Sequence, residues 1–207
     1  MVVFNRGFAQ KRIRQMLHDD TRRCSWVGQD PVMIRYHDEE WGVPVHEDRK
    51  WFEFILLDAF QAGLSWKTVL HKRVAFRQVF HGFDPKMVAM MSDEELEQAR
   101  LNPAIIRNRL KIQAARSNAR AFTAIQEEWG SFDAFIWSFT KGQVVQNSWK
   151  DPGRIPASTP LSDNVSKALK SRGFAFVGST ICYAFLQAAG VVNDHLVDCF
   201  RYRELAA

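Results

Sequence analysis

Along most of the chain apolar positions recur at three- and four-residue spacing, and strict alternation of apolar and polar residues is scarce. That pattern predicts helices joined by short turns. Residues 47–62 form an apolar-rich helical stretch closed by Gly63, a residue type suited to the left-handed backbone that ends helices. Ser92 and Glu95 stand at capping-box spacing ahead of the run DEELEQARL, and Asn102–Pro103 breaks it. A second helix is expected from near Ile105 to Gly130, so the pair reads as a helix–hairpin–helix near residues 92–120. Residues 141–163 are the only long stretch rich in proline, glycine and serine, and are expected to be a connecting loop. Beyond it NVSKALKSRG and GSTICYAFLQAAG each close on a glycine, and NDHLVDCF follows. The expected fold class is all-α.

The 207 residues suffice for one substantial core or for two small lobes sharing one. With 46% hydrophobic and 13% aromatic residues the chain is expected to be globular. Its net charge of +5 is compatible with an anionic partner such as nucleic acid. No apolar run approaches the roughly 20 residues that span a bilayer, and the start of the chain carries its charges after its apolar residues, unlike an export signal. Three cysteines, at 24, 182 and 199, make no disulfide framework, so a cytoplasmic location without membrane attachment is expected.

Within LLDAFQAGLSW, Asp58 is a lone carboxylate on a helix face shared with Phe54, Ile55 and Ala62. A buried acid needs either a structural partner or a functional reason, and spacing alone does not separate the two. Trp26, Tyr36, Trp41 and Trp66 are interleaved with charge, and aromatic faces can stack on a base or attract a cation; they can equally be core. His195 and Cys199, with three residues between them and expected one helical turn from each other, are half of a zinc site. Cys24 and His37 would complete a Cys₂His₂ tetrahedron, closed to water and therefore structural. The plainer alternative is an ordinary buried cysteine and solvated histidines.

The ordered set CSWVGQDP, YHDEEWGVP, QAGLSW, IIRNRLKI, SKALKSRGFAFVG and VNDHLVDC resembles the DNA-3-methyladenine glycosylase I family of the helix–hairpin–helix superfamily, from about Arg23 to Cys199. The resemblance implies a single glycosylase-like domain over 23–207 after an extension of residues 1–22. It implies two helical lobes around a pocket, with one structural Zn²⁺ on Cys24, His37, His195 and Cys199 joining the two ends of the chain. The implied activity is hydrolysis of the N-glycosidic bond of 3-methyladenine in double-stranded DNA, without strand cleavage and without an obligate protein partner. It assigns Asp58 as the recognition carboxylate, assisted by Tyr36 and Trp66, and places Trp26, Trp41, Met33 and Phe60 at the base pocket. DNA contacts fall to the hairpin: backbone N–H groups around Ala104 and Ile105 for a phosphate, with Arg107, Arg109 and Lys111 beside it. The chain departs from the family pattern in having Asp58 for a glutamate, Phe60 for a polar residue, Met33 for an aromatic and Ala104 for a glycine. A second reading, from a different class, is a zinc-stabilised protein that binds damaged DNA with altered lesion preference or little hydrolysis.

Overall fold

The computed structural model describes residues 21–206. Residues 1–20, most of the expected extension, lie outside them. Arg22 is already attached to the other end of the chain: its carbonyl accepts the Phe200 N–H and its guanidinium pairs with Asp198 at 3.1 Å.

After a turn of 3₁₀ helix at Ser25–Val27, Asp30 opens α1 (Pro31–Glu39) by accepting the N–H groups of Val32 and Met33, while Pro31 occupies the first turn, where no donor is needed. Helix α2 (Asp48–Gln61) is buried at every position from Trp51 to Phe60, which accounts for a sequence apolar almost all round. The chain turns at Gly63, with φ of +79°, and Ser65 caps α3 (Trp66–His71) through the Thr68 N–H. Helices α4 (Arg73–Val79) and α5 (Pro85–Ala89) follow. Ser92 and Glu95 make the reciprocal capping box that opens α6 (Asp93–Leu101). The long α7 (Arg109–Trp129), α8 (Phe132–Ser138), α9 (Pro160–Ser171), α10 (Ser179–Ala188) and α11 (Phe200–Glu204) complete the order.

Helix α2 is the hub, packed on α3, α7, α8 and α10. Phe52 meets Phe122 edge to face at 5.2 Å, and Phe122 stacks on Phe132 at 4.1 Å, tying α2, α7 and α8 into one core. A second tie is ionic. Glu53, 4% exposed on α2, accepts from Arg73 at 2.7 Å and Arg77 at 2.9 Å, and Arg73 also grips Glu40 with both terminal nitrogens. Lys50 closes the network on Glu40 at 2.7 Å, joining the end of α1 to α2 and α4.

Three expectations change. The second hairpin helix begins at Arg109 rather than near Ile105, because the Asn108 side chain accepts the Lys111 N–H and fixes the helix start there. The connecting loop is shorter: Thr159 and Ser162 form a capping box that starts α9. Within it Val145–Gln146 pairs in parallel with Val192–Asn193, a two-residue bridge in a mainly helical fold. Finally, His195 and Cys199 lie in the turn between that bridge and α11, not on a helix.

Gly190, after α10, has φ of +70°, and a Cβ there would stand 2.4 Å from Pro44 N and Val43 C. The contact is enforced by the Val45 N–H donating to the Ala189 carbonyl at 3.0 Å and by that of Gly42 donating to Ala188. Among the described residues no helix is long and apolar enough to cross a membrane.

Candidate active site

A cavity of about 460 Å³ opens between α1, α2 and α3 on one side and α10 on the other. Trp26, Met33, Tyr36 and Trp41 form one wall, Asp58 and Gln61 come from α2, and Ser65, Trp66 and Lys67 from the start of α3. Ile155, from the connecting loop, and Ala184, Gln187 and Ala188 on α10 complete it. The Tyr36 and Trp66 rings lie 5.2 Å apart at 49°, and Trp26 packs edge to face on Trp41 at 5.0 Å. The aromatic residues singled out in the sequence are therefore brought together.

Asp58 is 2% exposed, and its Oδ2 is buried without a hydrogen-bond partner. Burial pushes its carboxyl well above the usual carboxylate range. The indole Nε1 of Trp66 is also buried and unpartnered. An orphaned acceptor and an orphaned donor on one cavity are costly unless a ligand completes them. Burial, and then the charge of Asp58, pushes the Tyr36 phenol up, so it remains a neutral hydroxyl. Lys67 is engaged by Asp30 at 2.9 Å. Leu64, 44% exposed, stands in the turn between Gly63 and Ser65.

Behind the aromatic wall Cys24, His37, His195 and Cys199 converge, all four buried, with one ligand atom from each lying within 4.8 Å of the others. Cys199 Sγ is 3.4 Å from His37 Nε2 and 3.5 Å from His195 Nδ1, and Cys24 Sγ is 3.6 Å from His195 Nδ1. A tetrahedral zinc with Zn–S of about 2.3 Å and Zn–N of about 2.0 Å has S–N edges of about 3.5 Å, so the donor set and its spacing fit that ion. The other ring nitrogens are already taken, His37 Nδ1 by Asp38 at 2.8 Å and His195 Nε2 by the Trp41 carbonyl at 3.1 Å. These partners turn the remaining nitrogens inward, as is usual for metal-ligating histidines. Trp41 packs on both imidazoles, at 6.2 Å and 4.5 Å, so the cluster buttresses the cavity wall.

Four pocket and hairpin assignments are corrected, those of Phe60, Lys111, Ala104 and Ile105. Phe60 does not line the cavity: two residues from Asp58 along a helix is about 200° around it, and the ring packs instead on Phe76 at 4.7 Å and Phe80 at 5.8 Å. Lys111 is not a surface cation. It is 6% exposed, and its Nζ donates to the carbonyls of Phe60 and Ala62 at the end of α2, with burial lowering its pKa. Arg107 and Arg109 are exposed as expected.

In the hairpin turn the Ala104 N–H is taken by Asn102 Oδ1 and that of Ile105 by the Asn102 carbonyl, so neither is free for a phosphate, and Ile105 is core. Among the described residues the N–H groups of Ile106 and Arg107 have no protein acceptor. Lys72, which the sequence reading missed, ties the turn to α3 by donating to the Pro103 and Ala104 carbonyls at 3.3 and 3.0 Å. Also missed were Gln61, Ser65 and Gln187. Gln61 had a signal, lying three residues beyond Asp58 on the same helix face; Gln187, on a helix distant in sequence, had none.

The sequence model of the family described as methyladenine glycosylase matches residues 26–202. The chain is 52% identical over 180 residues to DNA-3-methyladenine glycosylase 1 of Escherichia coli (strain K12), covering 87% of this chain and 96% of that protein. A crystal structure of 3-methyladenine DNA glycosylase I superposes with a TM-score of 0.84 at 54% identity, over 86% of this chain and 98% of the other. A tyrosine-to-phenylalanine variant of a 3-methyladenine DNA glycosylase I in complex with 3-methyladenine superposes equally well, at 0.84 and 32% identity, over 86% and 96%.

Proposed function

The chain belongs to the methyladenine glycosylase family, and on that premise we infer that its aromatic cavity receives 3-methyladenine turned out of duplex DNA. The enzyme hydrolyses the N-glycosidic bond of that base, a damaged nucleotide whose weakened pairing lowers the cost of flipping. The single observation that carries the residue assignments is the pair of buried, unpartnered groups, Asp58 Oδ2 and Trp66 Nε1, on the wall of one cavity.

Methylation at N3 leaves the purine in DNA positively charged, so it is already a good leaving group and the site's task is mainly discrimination. The rings of Tyr36 and Trp66, with Trp26 and Trp41 behind them, favour a cationic base over neutral adenine through their quadrupoles. Asp58 accepts from an N–H at the base edge, and its ionised form is favoured when that base carries charge. As C1′ gains oxocarbenium character the DNA phosphates, with Asp58 nearby, stabilise it while water adds. Lys67 is held by Asp30, consistent with hydrolysis without a lysine adduct and without strand cleavage. Leu64 offers the exposed apolar side chain that can fill the space left in the stack. Arg107 and Arg109 supply phosphate contacts that position the duplex without reading sequence.

Zinc suits the Cys₂His₂ set of Cys24, His37, His195 and Cys199, and its part is structural: four protein ligands leave no position for a reacting water. A cytoplasmic setting agrees with three reduced, buried cysteines. The test is release of free 3-methyladenine from methylated duplex DNA by the purified protein, with Asp58→Asn as control. Binding of such DNA with release no faster than the spontaneous rate would leave the damage-binding reading instead.

A further inference from the structure

Gln187 lies on the cavity lining, and its side-chain orientation is set from behind. Its Nε2 donates to Asp194 Oδ2 at 2.7 Å. Asp194 is 1% exposed and accepts three further bonds, from the Tyr183 hydroxyl at 2.6 Å, the Asn147 amide at 2.7 Å and the Trp149 indole at 2.8 Å. Three of its four partners are N–H groups that can only donate, so the Asp194 oxygens are taken up as acceptors. An amide facing such a group must present its NH₂, since the reversed orientation would set oxygen against oxygen. Gln187 Oε1 is therefore the end left over, and among the described residues it has no protein partner.

We propose that Gln187 is a specificity-determining residue whose Oε1, held outward by Asp194, accepts from the exocyclic amino group of the bound base. The inference rests on the reading of the cavity as the 3-methyladenine site and extends it. A purine with an amino group at position 6 offers a donor to this oxygen. One with an oxo group there, as in 3-methylguanine, sets acceptor against acceptor. Sites built to hydrogen-bond one group reject an analogue lacking it far more strongly than apolar pockets reject a change of shape. Asp194 has no place on the cavity lining and acts through Gln187, as a positioning residue.

The experiment uses the full chain and two readouts: chromatography of 3-methyladenine and 3-methylguanine released from methylated duplex DNA, and titration of both free bases by tryptophan fluorescence. Gln187→Met keeps the volume and removes the acceptor. It is expected to lose about tenfold in binding and release of 3-methyladenine, the scale of one buried hydrogen bond, with 3-methylguanine unchanged. Asp194→Asn, which lets either end of the amide face the cavity, is expected to erode the same ratio in the presence of Gln187 and to have no further effect on it in Gln187→Met. Metal content and melting temperature check that each variant is folded. Equal losses for both bases, or no loss, would overturn the proposal. A wild-type protein that binds 3-methyladenine but releases none defeats the hydrolytic reading alone, since the binding ratio still judges Gln187; binding of neither base defeats both.

Discussion

The ammonium of Lys111 donates to the carbonyl of Ala62, reaching from the first turn of α7 to the C-terminal end of the helix that carries Asp58. Three positively charged side chains spaced two residues apart in the sequence thus divide between two tasks. Arg107 and Arg109 face solvent, while Lys111 closes the end of α2, where unsatisfied carbonyls and the helix dipole favour a cation.

Salt dependence separates those tasks. Arg107→Ala and Arg109→Ala are each expected to weaken binding to any duplex and to lower the slope of log K against log salt by about one. Lys111→Met is expected to leave the slope alone and to cost ~2 kcal/mol of stability, from two buried carbonyls left unpaired. A reduced slope in Lys111→Met would place this residue on the DNA after all.

In the proposed role, Asp58 trades stability for recognition. Its folded pKa is raised above the unfolded value of 3.8, so its contribution to stability is fully present below that value and is lost as pH rises through the raised pKa. Asp58→Asn is accordingly expected to be more stable than wild type at neutral pH, by roughly 1–2 kcal/mol, and equal to it in strong acid. Base release is expected to fall to the spontaneous rate. Thermal melts at several pH values check the first point and base chromatography the second.

The same carboxyl sets a pH profile. A cationic base is held best by the ionised form, so enzyme-dependent release above the spontaneous rate is expected to rise with pH as Asp58 loses its proton, then level off. Proton release on binding, read as a buffer-dependent heat in calorimetry, is the direct check. A flat profile in wild type that matches Asp58→Asn would exclude this role.

The Glu53 network governs behaviour in acid. Burial alone would raise Glu40 and Glu53, but their bonds to Arg73 outweigh it, holding Glu53 low and Glu40 at about 2. Their stabilisation is present above the unfolded value of 4.5 and is lost as pH falls toward the depressed values. Arg73→Ala leaves Glu53 buried with only its weaker partners and is expected to cost ~3 kcal/mol at neutral pH. That cost should shrink in acid-dependent denaturant titrations.

Removal of a metal from the Cys₂His₂ cluster is expected to lower the melting temperature by roughly 10 °C, about 3 kcal/mol in a chain of this size. Purified protein should carry one zinc per chain and Cys199→Ser less. Elemental analysis beside the melts checks both, and a metal-free protein with an unchanged melt would refute a structural zinc.

What the sequence conveyed depended on the distance over which each feature is determined. The box of Ser92 and Glu95 is written in four residues and formed as read. The start of α7 was misplaced because the competing signal, the Asn108 side chain on the Lys111 N–H, is a single cap inside a continuous helical pattern. His195 and Cys199 do converge, though through a turn that brings them to 3.5 Å rather than through one helical turn. Phe60 could have been set aside on helical geometry alone, since its side chain points away from that of Asp58. The burial of Lys111 and the orientation of Gln187 depend on partners far along the chain, and no local pattern encodes either.

Gly190 bears on how the sequence can vary. Any side chain there would have to push back the Val43–Pro44 backbone, and so shift Trp41, whose ring walls the cavity and whose carbonyl holds His195. In a saturation-mutagenesis library, position 190 should tolerate almost nothing although it belongs to neither the cavity lining nor the Cys₂His₂ cluster. Substitution at this glycine would act as a spacer between the two halves of the site, and a library scored only for activity would record it as though it were a contact residue.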